Sequence, residues 1–381
     1  MNNPVASSLL SGEVGPKLRK AGARQCGCTA RAPEPLDTMR ALRLERYGPP
    51  EVLQMRRLPL PLPCPGEVRV KVHMIGINYP EVLSRMGIYG WAPKPPYTLG
   101  MEAYGEIDQL GEGVTGRSVG EPVIVGTQYG AYAEYVCVPS ARVLRPPAGY
   151  TPEESSAFLV NYLTAWIGLM KMARLMRSDT VVVTSAAGGV GSAVVQLAKG
   201  FGARVIGLAG SSKQDIVRSL GADEVIDYGQ LDWISKLRKA TGSRGADVIF
   251  ELVGGEVYTG CTEVIAPMGR IVVAGISGLR IRRRNPFSWL LAARKLPKPS
   301  LREMLMNSYG MMSFHIGRLF IEQGLDGGIW EDLIQFVESN EIKPLVSKVY
   351  DFDQIPEAHR ALESRSTFGK VIARVPEVIA T

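Results

Sequence analysis

Two hydrophobic periods divide the chain. From Met39 apolar and polar positions alternate in short runs, predicting strands at Met39–Arg46 and Glu67–Ile77 and near Ala103–Leu110, Pro122–Val125 and Ala133–Pro139. Gly48-Pro49-Pro50 turns the chain, Pro59, Pro61, Pro63 and Pro65 interrupt it, and Gly111, Gly113 and Gly116 punctuate the later strands. Short strands at this spacing predict a small barrel-like or sandwich-like domain. The period changes near Thr151. Pro152-Glu153-Glu154 opens a helix that Ala157–Met172 continues as an apolar one. Strands and helices then alternate through Thr180–Thr184, Gly191–Phe201, Arg204–Ala209, Lys213–Leu220, Glu224–Ile226, Asp247–Glu251, Val257–Ile265 and Arg270–Ala274, with a last strand at Met311–Ile316. Unbroken Val/Ile strands are buried on both faces, as in a parallel sheet covered by helices, so the fold class is α/β. A helix at Trp330–Glu338 and a strand-helix-strand ending at Val371–Val375 look like a return to the first domain.

Composition narrows the function classes. At 45% hydrophobic and 21% charged, the 381 residues supply ample core and exclude a disordered, collagen-like or coiled-coil protein. Forty-four basic against 37 acidic residues leave +7, too modest to argue for a nucleic-acid partner. Residues 1–38, rich in Gly, Pro, Ser and Ala, predict a flexible tail. No apolar stretch reaches the roughly 18 residues of a membrane span; Ala157–Met170 is interrupted by Asn161 and Thr164. Five scattered cysteines (Cys26, Cys28, Cys64, Cys137, Cys261) form no disulfide framework and predict reduced thiols in a cytoplasmic protein. With three dispersed histidines, no metal site is expected, and His73 reads as a packed or edge residue. Arg280, Arg282, Arg283 and Arg284 are the sharpest charge cluster and read as a solvated loop; the functional alternative is recognition of an acidic substrate group.

One motif carries chemistry. The strand Thr180–Thr184 runs into Ser185-Ala186-Ala187-Gly188-Gly189-Val190-Gly191 and then a helix, the context required of a dinucleotide fingerprint. Gly188 lets the backbone approach a pyrophosphate, Gly191 lets the helix pack on the sheet, and the helix N-terminus offers N–H groups to phosphate. Ala186 stands where the commoner pattern has its first glycine. The next strand ends in Ala209-Gly210-Ser211-Ser212-Lys213, without the acid that would hold a ribose 2′-hydroxyl and repel a 2′-phosphate. Lys213 is placed to pair with that phosphate, Tyr228 to add a hydroxyl, so NADP(H) is the expected cofactor.

These segments, with Ile226-Asp227-Tyr228, Gly76-Ile77-Asn78-Tyr79, Leu99-Gly100-Met101-Glu102, Val160-Asn161-Tyr162-Leu163-Thr164-Ala165, Gly254-Gly255, Phe314-His315 and Phe368-Gly369-Lys370, resemble the medium-chain dehydrogenase/reductase superfamily. Within it they are similar to the zinc-free quinone oxidoreductase branch, zeta-crystallin and the vesicle amine transport protein-like members. The resemblance implies a GroES-like domain over 39–158, a Rossmann domain over 159–317 and a return to the first over 318–381. Zinc-dependent relatives place Cys at position 78 and His at 101; Asn78 and Met101 replace them, so no metal is expected. The implied activity is zinc-independent hydride transfer from NADPH to a quinone or α,β-unsaturated carbonyl. The alternatives are an NADPH-binding protein with weak turnover and a structural or partner-binding role, or an enoyl-thioester reductase. The residues implied at the reacting end are Asn78, Tyr79, Asn161 and Thr164, with the Asn78 amide and the Tyr79 and Tyr162 hydroxyls as groups to polarise the acceptor oxygen. The coenzyme set is Ala187, Gly188, Gly189, Val190, Gly191, Gly210, Ser211, Lys213, Tyr228, Val253, Gly275, Phe314, His315 and Lys370. A homodimer joined at the Rossmann edge is also implied.

Overall fold

The computed structural model describes residues 38–278, 288, 290, 292, 294, 296, 298–324 and 327–376; residues 1–37 of the expected tail and the arginine cluster lie outside them, and Thr38, its last residue, opens a strand. The first domain is built on a seven-stranded sheet. Its central strand, Glu67–Ile77, pairs with Glu102–Leu110, Tyr135–Pro139 and the C-terminal strand Lys370–Arg374, and Val346–Asp351 lies beyond the last. On Glu67–Ile77 the side chains alternate until His73, with Val68, Val70 and Val72 inward and Arg69 and Lys71 outward. From Met74 to Asn78 every residue is buried, because here the strand lies between Glu102–Leu110 and Lys370–Arg374 and under the helix Pro152–Ser156. Gly76 permits that approach: a Cβ there would lie 2.3 Å from the Ser156 carbonyl oxygen and 2.7 Å from Glu102 Cγ. A three-stranded sheet, Leu53–Pro59, Thr38–Leu44 and Tyr97–Thr98, completes the domain.

The second domain holds a six-stranded parallel sheet in the order Glu224–Ile226, Arg204–Leu208, Thr180–Val183, Ala246–Glu251, Ile265–Val273, Gly310–Ser313. Strand order reverses between Thr180–Val183 and Ala246–Glu251, and the crevice at such a reversal, outside the carboxyl ends of the strands, is where α/β sheets bind ligands. The expected apolar helix is Leu159–Trp166, continued by a π-helical turn over Ile167–Met172. Three α-helices carried no expectation, Tyr79–Met86, Trp233–Thr241 and Leu301–Asn307, while Ile355–Ser364 is the helix of the expected strand-helix-strand.

The stretch from residue 318 faces both domains: Glu331 and Glu338 of the helix Gly327–Ser339 bond Arg145, and Trp330 donates to the Arg145 carbonyl. Trp330, Leu333, Ile334 and Val337 of the helix Gly327–Ser339 pack into the core beside Phe158 and Trp166, with the parallel sheet. Val346–Asp351 is the first strand back in the barrel sheet. A helix amphipathic toward the parallel sheet is indistinguishable by period from one facing the barrel, so the period alone does not place this boundary.

Candidate functional site

The glycine turn occupies the crevice. After Val183 the chain bends through Ser185, held at φ 51°, and the helix Gly189–Phe201 starts from Gly188 without a side-chain cap. The N–H groups of Gly189, Val190 and Gly191 find no acceptor among the described residues, leaving the helix end open to an anion. A Cβ on Gly191 would sit 2.1 Å from the Ser185 carbonyl oxygen, and one on Gly189 would sit 2.8 Å from Asn161 Nδ2. Asn161 thus packs beneath the turn, its amide donating to the Ala157 carbonyl at 3.4 Å. A second chain segment closes on the same turn: Gly369 N–H donates to the Ala187 carbonyl at 2.7 Å and runs alongside Gly188. The glycines and open N–H groups fit a dinucleotide.

At the end of the next strand Gly210 faces open space, and Ser211 Oγ donates to Asp227 at 2.6 Å. The Lys213 ammonium donates to the carbonyls of Arg365 at 2.7 Å and Thr367 at 2.6 Å. Two of its three N–H groups are used and one remains. Partial burial lowers its pKa. Arg365, which carried no expectation, reaches across to the Ser277 carbonyl at 2.6 Å. Desolvation raises the pKa of the Tyr79 and Tyr228 hydroxyls, and the Arg365 charge acts on both in the opposite direction. The Arg365 charge is therefore within electrostatic reach of both hydroxyls. On the far side Glu251 accepts the N–H groups of Val253 and Gly254, both at 2.6 Å, and Ser277 Oγ donates to the Leu252 carbonyl at 2.8 Å near Gly275.

The reacting end differs from expectation. The Asn78 amide does not face the cleft as a free donor. Its Nδ2 donates to Glu102 Oε1 at 3.0 Å and its Oδ1 accepts from the Lys370 ammonium at 2.6 Å. Lys370, expected with the coenzyme, is buried under Asn78 and also bonds Glu102. The other Glu102 oxygen takes the Val160 N–H at 2.9 Å, anchoring the helix Leu159–Trp166. Thr164 Oγ1 is turned back on the Val160 carbonyl at 2.5 Å. The buried Tyr162 hydroxyl is held by Gln196 and the Lys343 carbonyl, so it is no polarising group. Tyr79 is half-buried, and desolvation raises its pKa.

Zinc does not fit here. An ammonium stands among Asn78 and Glu102, and Met101 contributes only its N–H, to Glu81 at 2.6 Å. Among the described residues no group of three or more His, Cys, Asp or Glu is placed to hold a metal.

One pairing has no signal in the sequence. Tyr89 Oη lies 2.7 Å from His315 Nε2, joining the two domains, and the rings stack while Trp91 packs edge-on against His315. His315 Nδ1 accepts the Arg318 N–H at 3.1 Å, which puts the ring hydrogen on Nε2, donating to Tyr89. The Tyr89 hydrogen is then available to another acceptor. Burial and the neighbouring Arg318 lower the His315 pKa, and burial raises that of Tyr89, so both stay neutral near pH 7. His315 and Phe314 follow the strand Gly310–Ser313 at its carboxyl end.

A barrel-type domain joined to a parallel nucleotide-type sheet, with the crevice between them, defines a two-domain oxidoreductase. A family model described as an alcohol dehydrogenase GroES-like domain matches residues 64–148, and one described as a zinc-binding dehydrogenase matches 220–372. The synaptic vesicle membrane protein VAT-1 homolog of Rattus norvegicus is 30% identical over 338 residues, covering 88% of this chain and 83% of that protein. The quinone oxidoreductase of Homo sapiens is 29% identical over 339 residues, covering 88% and 97%. A mycobacterial protein solved in complex with NADPH superposes with a TM-score of 0.77 at 26% identity, covering 88% of this chain and 99% of that one. The chain belongs to the medium-chain dehydrogenase/reductase superfamily, among its quinone oxidoreductase and VAT-1 homologues.

Proposed function

We propose that the protein is an NADPH-dependent, zinc-independent reductase of quinones or α,β-unsaturated carbonyls. The observation that carries the reading is the open glycine turn set beside Lys213, on a strand that ends without an acid. The turn's N–H groups receive the pyrophosphate; the third N–H of Lys213, the Tyr228 hydroxyl and the Arg365 guanidinium receive the 2′-phosphate. When bound, NADPH supplies the hydride. Tyr89 donates a hydrogen bond to the acceptor oxygen as that oxygen gains charge, and His315 holds the Tyr89 hydroxyl in the orientation that does so. The final proton comes from solvent. Aromatic walls at Tyr79, Tyr89 and Trp91 suit a flat acceptor. Asn78, Glu102 and Lys370 keep the three segments beneath the site in register without a metal. Cys64, Cys137 and Cys261 form no disulfide among the described residues, which suits a reducing, cytoplasmic setting, and no described helix is long and apolar enough to cross a membrane.

A second reading, an NADPH-binding protein whose role is partner binding, is favoured by relatives named for a vesicle membrane and not for a reaction. NADPH oxidation followed against a panel of quinones, enones and enoyl thioesters, with metal content measured alongside, separates the two. Turnover with a quinone or enone and no stoichiometric zinc supports the reductase. Binding of NADPH with no turnover across the panel supports the second reading, and turnover confined to enoyl thioesters reassigns the acceptor.

A further inference from the structure

Six residues, Arg365–Lys370, touch Lys213, the glycine turn, Ser277 and the Asn78–Glu102 cluster. Arg365 ends the helix Ile355–Ser364 at φ 58° and reaches Ser277. Its carbonyl and that of Thr367 accept from Lys213. Gly369 N–H bonds the glycine turn at Ala187. A Cβ on Gly369 would lie 2.2 Å from the Leu345 carbonyl oxygen, so this passage has little lateral freedom. Lys370 then bonds Asn78 and Glu102, and the strand it opens pairs Val371 with Ile77, the residue before Asn78. The proposed 2′-phosphate ligand and the buried cluster below the reacting end are therefore the two ends of one short segment, tied by hydrogen bonds along its length.

We infer that Arg365–Lys370 is a strap through which occupation of the Lys213 site sets the position of Asn78 and Glu102, with Lys370 as the positioning residue at its far end. The inference rests on the NADPH reading above. A phosphate on the third N–H of Lys213 fixes the ammonium, which fixes the two carbonyls it holds, and the strap has no slack before Lys370. NADH, lacking the phosphate, fills the glycine turn but leaves Lys213 and the strap as they were. The discrimination between the two coenzymes is then felt at the reacting end as well as in affinity.

Amide hydrogen exchange on the full chain tests this, with no coenzyme, saturating NADH and saturating NADPH, after calorimetry has fixed both dissociation constants. The expected result is that NADPH protects residues 365–372 and 76–82 about fivefold or more beyond NADH, the size of a common coupling free energy. In Lys370→Gln the extra protection by NADPH persists at 365–367 and disappears at 76–82. Equal protection of 76–82 by the two coenzymes, with NADPH still bound more tightly, overturns the strap and leaves the NADPH reading standing. Equal dissociation constants overturn both. Should the variant not fold, the comparison on the unaltered chain decides alone.

Discussion

Glu81 lies sealed beneath the site and accepts three hydrogen bonds, from Asn78 N–H at 2.7 Å, Met101 N–H at 2.6 Å and Tyr132 O–H at 2.6 Å. Complete burial nevertheless pushes its pKa up from 4.5 to about 7. Because the folded state holds this proton more tightly than the unfolded chain, the group's contribution to stability is full below pH 4.5. It declines as pH rises toward 7 and is lost above it. Thermal melts from pH 5 to 8 should show this slope, and Glu81→Gln should remove it. That variant should also lose about 1–3 kcal/mol, because a glutamine has one acceptor oxygen for three donors. An unchanged slope in the variant would assign the pH dependence elsewhere. At the coenzyme end, Lys213→Ala should weaken NADPH by about 10–100-fold while NADH changes far less, since a charge-assisted bond is worth about 1.5–3 kcal/mol. Calorimetric titration with both coenzymes checks it; equal losses would remove the 2′-phosphate assignment. Tyr89→Phe should lower kcat by about 10²-fold with the NADPH dissociation constant unchanged, the usual cost of a lost oxyanion donor. An unaltered kcat would exclude the Tyr89 role. Lys213 is legible in the chain because the segment that marks it, Ala209–Lys213 after a parallel strand, is continuous in sequence, although the carbonyls it bonds, Arg365 and Thr367, are not. Lys370 and Asn78 are not, being 292 positions apart, and the amide expected to meet substrate is committed to a cation no motif connects with it. Tyr89 and Arg365 leave no signal, since each acquires its role from a contact across the cleft.

At the scale of the element, the turn Ser185–Gly191 shows how far a local pattern reaches. Gly191 is required by close approach to Ser185, as the pattern implies, and the helix begins two residues before it. Gly191→Ala should destabilise the fold by about 1–3 kcal/mol through overpacking against Ser185 and should weaken NADPH binding. A melting curve and titration that match the unmodified chain would mean the helix does not need this approach. The parallel strands are readable because unbroken Val/Ile runs have few other uses. The helix Tyr79–Met86 is not, although Asn78 and Glu81 have cap spacing and Pro80 sits in its first turn. Its short polar face hides among strand signals. Strand Ile265–Val273 begins earlier than expected because its pairing shifts register between Ala246 and Val248, which accommodates Pro267 and Gly269.

At the scale of the molecule, the Tyr89–His315 contact joins the two domains, and long-range pairing of Lys370–Arg374 with Glu67–Ile77 ties the late chain to the early one. That return is readable in outline from the last strand-helix-strand, while the helix Gly327–Ser339 before it touches both domains, Arg145 and Ala148 on one side and Trp166 on the other. The strand Gly310–Ser313 leaves one edge of the parallel sheet unpaired among the described residues, and Leu301, Leu305 and Met306 nearby are more than 70% exposed. Pairing of two such edges would cover both. Sedimentation should give twice the 41.4 kDa chain mass at micromolar concentration; a single 41.4 kDa species would exclude the dimer. The central claim is that the cleft holds NADPH by the glycine turn and Lys213. Calorimetric titration of the folded chain tests it most directly. The expected result is saturable binding of one NADPH per chain, about tenfold or more tighter than NADH. No saturation with NADPH, or equal affinity for the two coenzymes, would contradict it.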